Sequence, residues 1–268
     1  MAWWGKVLGG SFGFAFGGPL GALLGAAIGH SFDKGLAGLD DLDPAELGRD
    51  TERIQAAFFT ATFSVMGNLA KADGRVSEDE IQVAQRTMSQ MQLDDAQKKA
   101  AQALFSQGKA PDFDRQRVLE QLRKECGRRR NLHIIFLEIQ ITTALADGEL
   151  HDAELRLLTE VAEYLRISRS EFEALLARAS AQRGFSHDQQ ERPLSTGEKL
   201  EKAYRVLGVS PHDSDATIKK TYRRLLSQHH PDKLVSKGLP EEMMQVATEK
   251  TREIKEAYEY IKQHRAKH

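Results

Sequence analysis

The chain has 268 residues, a net charge of −1 and a hydrophobic fraction of 40%, enough for one or two packed domains with additional segments. Because Cys126 is the only cysteine, no disulfide can form within the chain, which fits a reducing compartment. The charge is uneven: residues 198–268 hold 15 Lys and Arg against 11 Asp and Glu, and this net charge of +4 suits an acidic partner.

The first predicted element is an uncharged stretch of 23 residues, 7–29. A helix of that length spans ~35 Å, enough to cross the hydrocarbon core of a bilayer. Trp3 and Trp4 lie just before it, where interfacial aromatic residues anchor membrane helices. We therefore predict a short tail, 1–6, followed by a transmembrane helix. A signal peptide is the rival interpretation, but the apolar run is longer than a typical signal-peptide core and lacks a clear cleavage site.

Glycine recurs at every fourth position through this element. The series comprises Gly5, Gly9, Gly13, Gly17, Gly21, Gly25 and Gly29. On a helix these residues form a bare groove that lets a second membrane helix approach closely. We predict a homodimer through the groove, with a span that merely tolerates glycine as the alternative. The predicted interface consists of Gly9, Gly13, Gly17, Gly21 and Gly25.

A connector, 30–50, leads to a predicted helical domain, 51–181. Helical patterning continues through that domain and no long stretch alternates with period two, so the predicted fold class is all-α. Helices are predicted near 51–72, 78–91, 94–107, 113–127, 131–146, 151–166 and 169–180. Residues 182–197 combine Ser, Gln, Gly, His, Asp and Pro, which indicates a flexible linker.

The central domain contains an internal repeat in which residues 70–81 match residues 144–155. The structural interpretation is a helix–turn–helix corner, in which a glycine ends one helix and a glutamate caps the next. The alternative is a site for a hard cation, although the calcium loop of EF-hands is absent. Its ligands would be Asp73, Glu80, Asp147 and Glu154. The repeated Ala-Asp-Gly and Glu pattern resembles that of TerB-like helical domains.

The last segment, 198–268, contains two amphipathic helices joined by a His-Pro-Asp turn. We call His230, Pro231 and Asp232 the HPD loop. Pro231 cannot continue the first helix, because it lacks an N–H and its ring clashes with the preceding turn. The loop therefore presents an imidazole and a carboxylate beside the polar side of that helix. The basic face of the helix consists of Lys219, Lys220, Arg223 and Arg224.

This pattern resembles the J domain of the DnaJ co-chaperones. The resemblance rests on Leu-Gly-Val at 207–209, the HPD loop and Ile-Lys-Glu-Ala-Tyr-Glu at 254–259, and it covers about the last quarter of the chain. Thr251 departs from the pattern, because many relatives have Phe there. The resemblance implies that the chain binds the ATPase DnaK and stimulates its ATP hydrolysis. The implied contact residues are His230, Pro231, Asp232, Lys219, Lys220, Tyr222, Arg223, Arg224 and Lys233.

The order of span, TerB-like domain, linker and J domain resembles the membrane-anchored DnaJ-like co-chaperones of Gram-negative bacteria. Since DnaK is cytosolic, the resemblance implies a single-pass inner-membrane protein with a periplasmic N-terminus and a cytoplasmic bulk. It also implies a role in envelope stress signalling and in the induction of capsular polysaccharide synthesis. The client of the central domain is not indicated by the sequence.

Two other classes of function are open. One is a metal-sensing stress-response protein that acts through the acidic corners of the TerB-like domain. The other is a membrane-active oligomer built on the glycine groove. Neither explains the HPD loop. The sequence holds no glycine-rich phosphate loop and no nucleophile elbow, so we expect a regulator of a partner ATPase rather than an enzyme, without a cofactor and without a nucleic-acid partner.

Overall fold

Ten α-helices make up the part of the chain that the computed structural model describes, and that part holds no β-strand. The structure describes residues 44–72, 95–145, 150–188, 195–240 and 243–266, and the single residues 85, 88, 91 and 93. The predicted all-α class is confirmed. The predicted span 7–29, with its glycine series, lies outside the described residues.

The helices are numbered here in chain order. They are α1 (Pro44–Leu69), α2 (Asp95–Gly108), α3 (Arg115–Cys126), α4 (Arg130–Ala144), α5 (Asp152–Tyr164), α6 (Arg169–Asp188), α7 (Thr196–Leu207), α8 (Asp215–His229), α9 (Pro231–Val235) and α10 (Met244–Arg265). Two of them reach further than the sequence predicted. Helix α1 starts inside the expected connector, because a proline is well placed at the first helical position, where no N–H partner is needed. Helix α6 runs to Asp188, inside the expected linker, since no proline interrupts the chain before Pro193.

The chain divides into two compact units, and the first comprises Met1–Asn68 and Gln92–Gly127. In this unit α1 and α2 approach each other closely at two glycines. A Cβ atom on Gly67 would lie 2.0 Å from the carbonyl oxygen of Phe105, and one on Gly108 would lie 1.8 Å from that of Ser64. The Asn68 side chain donates to the Gly108 carbonyl oxygen at 3.2 Å. Only glycine permits this separation of the two backbones.

The second unit comprises Leu69–Met91 and Arg128–His268. It therefore holds α4 to α6 of the predicted central domain together with α7 to α10 of the predicted J domain. Helix α4 is buried along most of its length and packs against α5 and α6. Helix α6 in turn packs against α7. The boundary between the two units thus falls inside the segment 51–181.

Helices α7, α8 and α10 enclose the core of the last segment. Its buried residues are Ala203, Tyr204, Leu207, Ile218, Leu225, Ile254, Ala257 and Ile261. Tyr222 stacks on Tyr258 across α8 and α10, with ring centroids 4.0 Å apart and ring planes 9° apart. Near the end of α10, the Arg265 guanidinium donates to the Tyr204 hydroxyl at 2.8 Å and to the Asp215 carboxylate at 2.7 Å. These contacts fix the hairpin on which the HPD loop lies.

Candidate partner-binding site

Helix α8 begins and ends at residues that the sequence marks clearly. Ser214 caps its first turn, and the Ser214 hydroxyl accepts a hydrogen bond from the Thr217 N–H at 3.2 Å. His230 has extended backbone angles, φ −61° and ψ 122°, as expected for a residue before proline. His230 is the residue between α8 and α9, and Pro231 is the first residue of α9. The HPD loop is therefore a sharp junction between two helices.

The polar side chains of the HPD loop are accessible to a partner. The His230 side chain is 42% exposed and that of Asp232 is 89% exposed, with 4.0 Å between His230 Nδ1 and Asp232 Oδ2. His230 Nδ1 itself is shielded from solvent, and within the part of the chain that the structure describes it has no hydrogen-bond partner. Lys233 Nζ donates to Ser227 Oγ at 2.9 Å and so joins α9 to the last turn of α8. Neither His230 nor Asp232 contributes to the buried core.

The basic face of α8 is exposed at all four of its residues. Lys233 is also exposed, so exposed cations extend along α8 and into α9, the helix that follows the HPD loop. Tyr222 differs from these exposed cations, because it is half-buried in its stack on Tyr258. The arrangement offers a positive surface with an imidazole and a carboxylate at its edge, which complements an acidic protein surface.

Side chains from two other helices satisfy the carbonyl groups at the C-terminal end of α8. A glycine-type cap is impossible here, because Pro231 follows within two residues and has no N–H to donate. The Asn131 side chain on α4 donates to the Gln228 carbonyl oxygen at 3.3 Å. The Thr251 hydroxyl on α10 donates to the His229 carbonyl oxygen at 2.9 Å. The helix end beside the HPD loop is thus held by the central domain and by the J domain together.

The His229 side chain is 1% exposed and lies between two acceptors. His229 Nδ1 lies 2.9 Å from the Leu225 carbonyl oxygen, and Nε2 lies 2.7 Å from a carboxylate oxygen of Glu138 on α4. Because a carbonyl can only accept, Nδ1 has to donate there, and the ring satisfies both neighbours when Nε2 also carries a proton. The Arg178 guanidinium on α6 lies 3.7 Å from the other Glu138 oxygen. We call Glu138, His229 and Arg178 the Glu138 cluster.

The charge of Glu138 is stabilised in spite of its surroundings. Burial opposes ionisation of the carboxyl group, but the positive charges of His229, Lys250 and Arg178 and the hydrogen bond from His229 outweigh burial. They lower the pKa of Glu138 to about 2. The side chain is only 16% exposed, so solvent screens these interactions weakly. Glu138 is therefore an anion at neutral pH, at the place where α4 of the central domain meets α8.

Sequence reasoning missed the Glu138 cluster, although two signals point to it. His229 lies eleven residues after Ile218, so it falls on the buried stripe of α8, and a polar residue on such a stripe needs a buried partner. Glu138 interrupts the apolar run of α4, whose neighbouring residues Leu137 and Ile139 are both buried. Their pairing joins positions 91 residues apart, which periodicity cannot reveal.

Of the four residues proposed as cation ligands, only Glu154 is among the described residues. Its carboxylate accepts a hydrogen bond from the His151 N–H at 3.0 Å, at the start of α5. This is the capping role that the repeat predicted for it. Asp73, Glu80 and Asp147 lie outside the described residues. Among the residues that are described, no group of three potential metal ligands occurs.

Comparison with known proteins agrees with the order of segments along the chain. The family model of the DnaJ domain matches residues 202–268, that of the tellurite resistance protein TerB matches 59–177, and that of the co-chaperone DjlA transmembrane domain matches 1–39. The co-chaperone protein DjlA of Coxiella burnetii is 43% identical over 268 residues, covering 99% of both chains. The chain belongs to the DjlA family of co-chaperones.

Other DjlA proteins match over nearly the same length. That of Escherichia coli K12 is 44% identical over 98% of both chains, and that of Pasteurella multocida is 42% identical over 96% of both. No solved structure gives a significant match. The chain thus carries a DjlA-type N-terminal transmembrane domain, a TerB domain and a J domain. Within the described residues, which begin at residue 44, no helix combines the length and apolarity of a membrane span.

Proposed function

We propose that this DjlA-family chain binds DnaK through its J domain and stimulates ATP hydrolysis by DnaK at the cytoplasmic face of the inner membrane. The observation that carries the proposal is the exposure of His230 and Asp232 at the tip of a basic helix, where neither serves the core. The ATP belongs to the partner, so these residues act as regulators of an enzyme and not as catalytic residues.

The mechanism has two parts. The basic face of α8 and Lys233 attract an acidic surface of DnaK, and such steering acts mainly on the rate of association. His230 and Asp232 then contact DnaK and favour its hydrolysing conformation, which amounts to binding one state of the partner more tightly than the other. Affinity and stimulation thus depend on different residues of the same surface.

The experiment compares the full chain in lipid nanodiscs with its His230→Gln variant. We expect the variant to fold normally and to lose stimulation of DnaK ATP turnover, since His230 lies outside the core. The matched control is His212→Gln, which changes another exposed histidine of the J domain that is remote in sequence from the loop. Stimulation by His230→Gln at the parental level would overturn the proposal.

The membrane orientation is part of the same proposal. Because DnaK is cytosolic, the J domain has to lie in the cytoplasm, and a single span then leaves the N-terminus in the periplasm. Protease added to spheroplasts should leave the J domain intact and should cleave it only after lysis. Cleavage in intact spheroplasts would contradict this orientation. A regulatory role in envelope stress signalling and capsule induction follows from the family resemblance, and loss of induction in a His230→Gln strain would support it.

A further inference from the structure

The HPD loop is attached to a residue that is fixed on three sides. The His229 ring contacts the Leu225 carbonyl oxygen and the Glu138 carboxylate, and its own carbonyl oxygen accepts from Thr251. The next residue in the chain is His230. Whatever fixes His229 therefore fixes the point from which the HPD loop projects.

The HPD loop has little side-chain support of its own. The His230 ring and the Asp232 carboxylate lie 4.0 Å apart, beyond hydrogen-bond distance, and both are accessible to solvent. Their direction is set instead by the end of α8 and the start of α9. Of the contacts at that end, the one to Glu138 is charged and comes from outside the J domain.

The contact leaves the proposed DnaK surface open. The four cations of the basic face remain exposed although α8 rests on α4. Glu138 reaches the buried stripe of α8, on the side that carries Ile218 and His229. The central domain thus supports the helix at its buried stripe and leaves these four side chains exposed, although Arg224 also lines a cleft with Glu171 and Arg178 of α6.

We propose that Glu138 is a positioning residue for stimulation, which acts through His229 to fix the direction of the HPD loop. The inference rests on the proposed function, because it names the part that the TerB-like domain plays in it. A charge-assisted hydrogen bond is stronger and more directional than a neutral one, and it suits a group that has to hold a loop in one orientation. Arg178 completes the arrangement by pairing with the second carboxylate oxygen.

The test separates maximal stimulation from affinity. DnaK ATP turnover is measured against the concentration of the full chain in nanodiscs, for the parent, Glu138→Ala and Glu138→Gln. We expect Glu138→Ala to lower the maximum about tenfold and Glu138→Gln about threefold, because the amide keeps a neutral hydrogen bond to His229. The half-saturating concentration should stay within about twofold of the parent, since the basic face is unchanged. A merely structural role would not produce this split.

A double-mutant cycle tests whether Glu138 acts through His229. If it does, Glu138→Ala combined with His229→Ala loses no more stimulation than the worse single variant. Additive losses would overturn the inference. The matched control is Glu173→Gln, which removes an exposed carboxylate of α6 that pairs with Arg169 and should leave both parameters unchanged.

The remaining outcomes are also decisive. Hydrogen exchange of the α4 amides reports whether the Glu138→Ala variant remains folded. If that variant unfolds, the maximal stimulation of DnaK by Glu138→Gln decides. Maximal stimulation by Glu138→Gln at the parental level overturns the inference. A maximum above the parental level overturns it too, because the contact would then inhibit stimulation. If the parent itself fails to stimulate DnaK, the proposed function fails. If the parent stimulates DnaK and His230→Gln does not, a Glu138→Gln variant that stimulates as strongly as the parent overturns the positioning role alone.

Discussion

The Thr251 hydroxyl donates a hydrogen bond of 2.9 Å to the carbonyl oxygen of His229, the residue at which α8 ends. Thr251 is 6% exposed and stands at the position where the sequence departs from the usual J-domain pattern. A phenylalanine has no donor to offer to this carbonyl group. The departure therefore brings a buried polar contact to the end of α8, next to the HPD loop.

Replacing Thr251 with Val should destabilise the end of α8. Val keeps the volume of Thr but leaves the buried His229 carbonyl group without this donor, at a cost of about 1–3 kcal/mol. Hydrogen exchange of the amides in the last two turns of α8 should accelerate accordingly. Thr248→Val is the control, because the Thr248 hydroxyl makes a local bond to the Met244 carbonyl oxygen at an exposed position. Equal exchange in the two variants would show that Thr251 does not support α8.

Reversing Arg223 and Arg224 to Glu should weaken binding to DnaK, mostly through a slower association rate. Both side chains are exposed, so added salt should slow association of the parent in the same direction. Stopped-flow association at several salt concentrations measures both effects. Reversing Arg252 and Lys255, exposed on α10, makes the same charge change elsewhere in the domain and should have a smaller effect. Salt-independent association of the parent would contradict electrostatic steering.

Acid should remove the contribution of Glu138 to local stability. A carboxyl group whose pKa is lower in the folded protein than in the unfolded chain stabilises the fold above its unfolded pKa. The usual value is 4.5 and the folded value is about 2, so the contribution is complete above about pH 4.5 and is lost as the pH falls toward 2. Hydrogen exchange of α8 should therefore differ more between the parent and Glu138→Gln at pH 6 than at pH 3. A difference that grows toward pH 3 would contradict this account.

The local residue pattern of the sequence was sufficient to predict the helical hairpin of the J domain. Ile218 and Leu225 of α8 are buried, as the predicted amphipathic helix requires, and Pro231 ends α8 as predicted. The contact between Glu138 and His229 could not be found in the same way, since it depends on how α4 and α8 pack. Contact residues for DnaK remain predictions, because exposure shows that they are available and not that they bind.

Gly67→Ala should destabilise the packing of α1 on α2. The added Cβ would lie 2.0 Å from the Phe105 carbonyl oxygen, and because that atom is backbone the helices have to separate. We expect a net loss of about 1–3 kcal/mol, read from faster hydrogen exchange in α1. The control is Gly197→Ala in α7, where nothing lies within 4 Å of the new Cβ, so exchange there should slow. Unchanged exchange in α1 would refute the close approach.

Replacing Gly17 and Gly21 with Leu should disrupt the predicted self-association of the predicted membrane helix without preventing insertion. Leu inserts more readily than Gly, but its side chain holds two helices apart and removes their close contact. Crosslinking in membranes at equal protein content measures the dimer. Leu8 and Leu24 lie outside the glycine series, so changing them to Ile provides a control with the groove intact. An undiminished dimer in the double Leu variant would show that the groove is not the interface.

The extension of α6 to Asp188 has a consequence for the contact between the J domain and the central domain. Only residues 189–194 separate Asp188 from Ser195, the residue before α7, and a chain of that length spans at most ~25 Å. A short tether gives the two joined surfaces an effective concentration on the order of millimolar. Two surfaces that bind too weakly to associate as separate molecules would thus be in contact most of the time. A longer insert at 189–194 should lower the fraction of molecules in contact without altering a single contact residue.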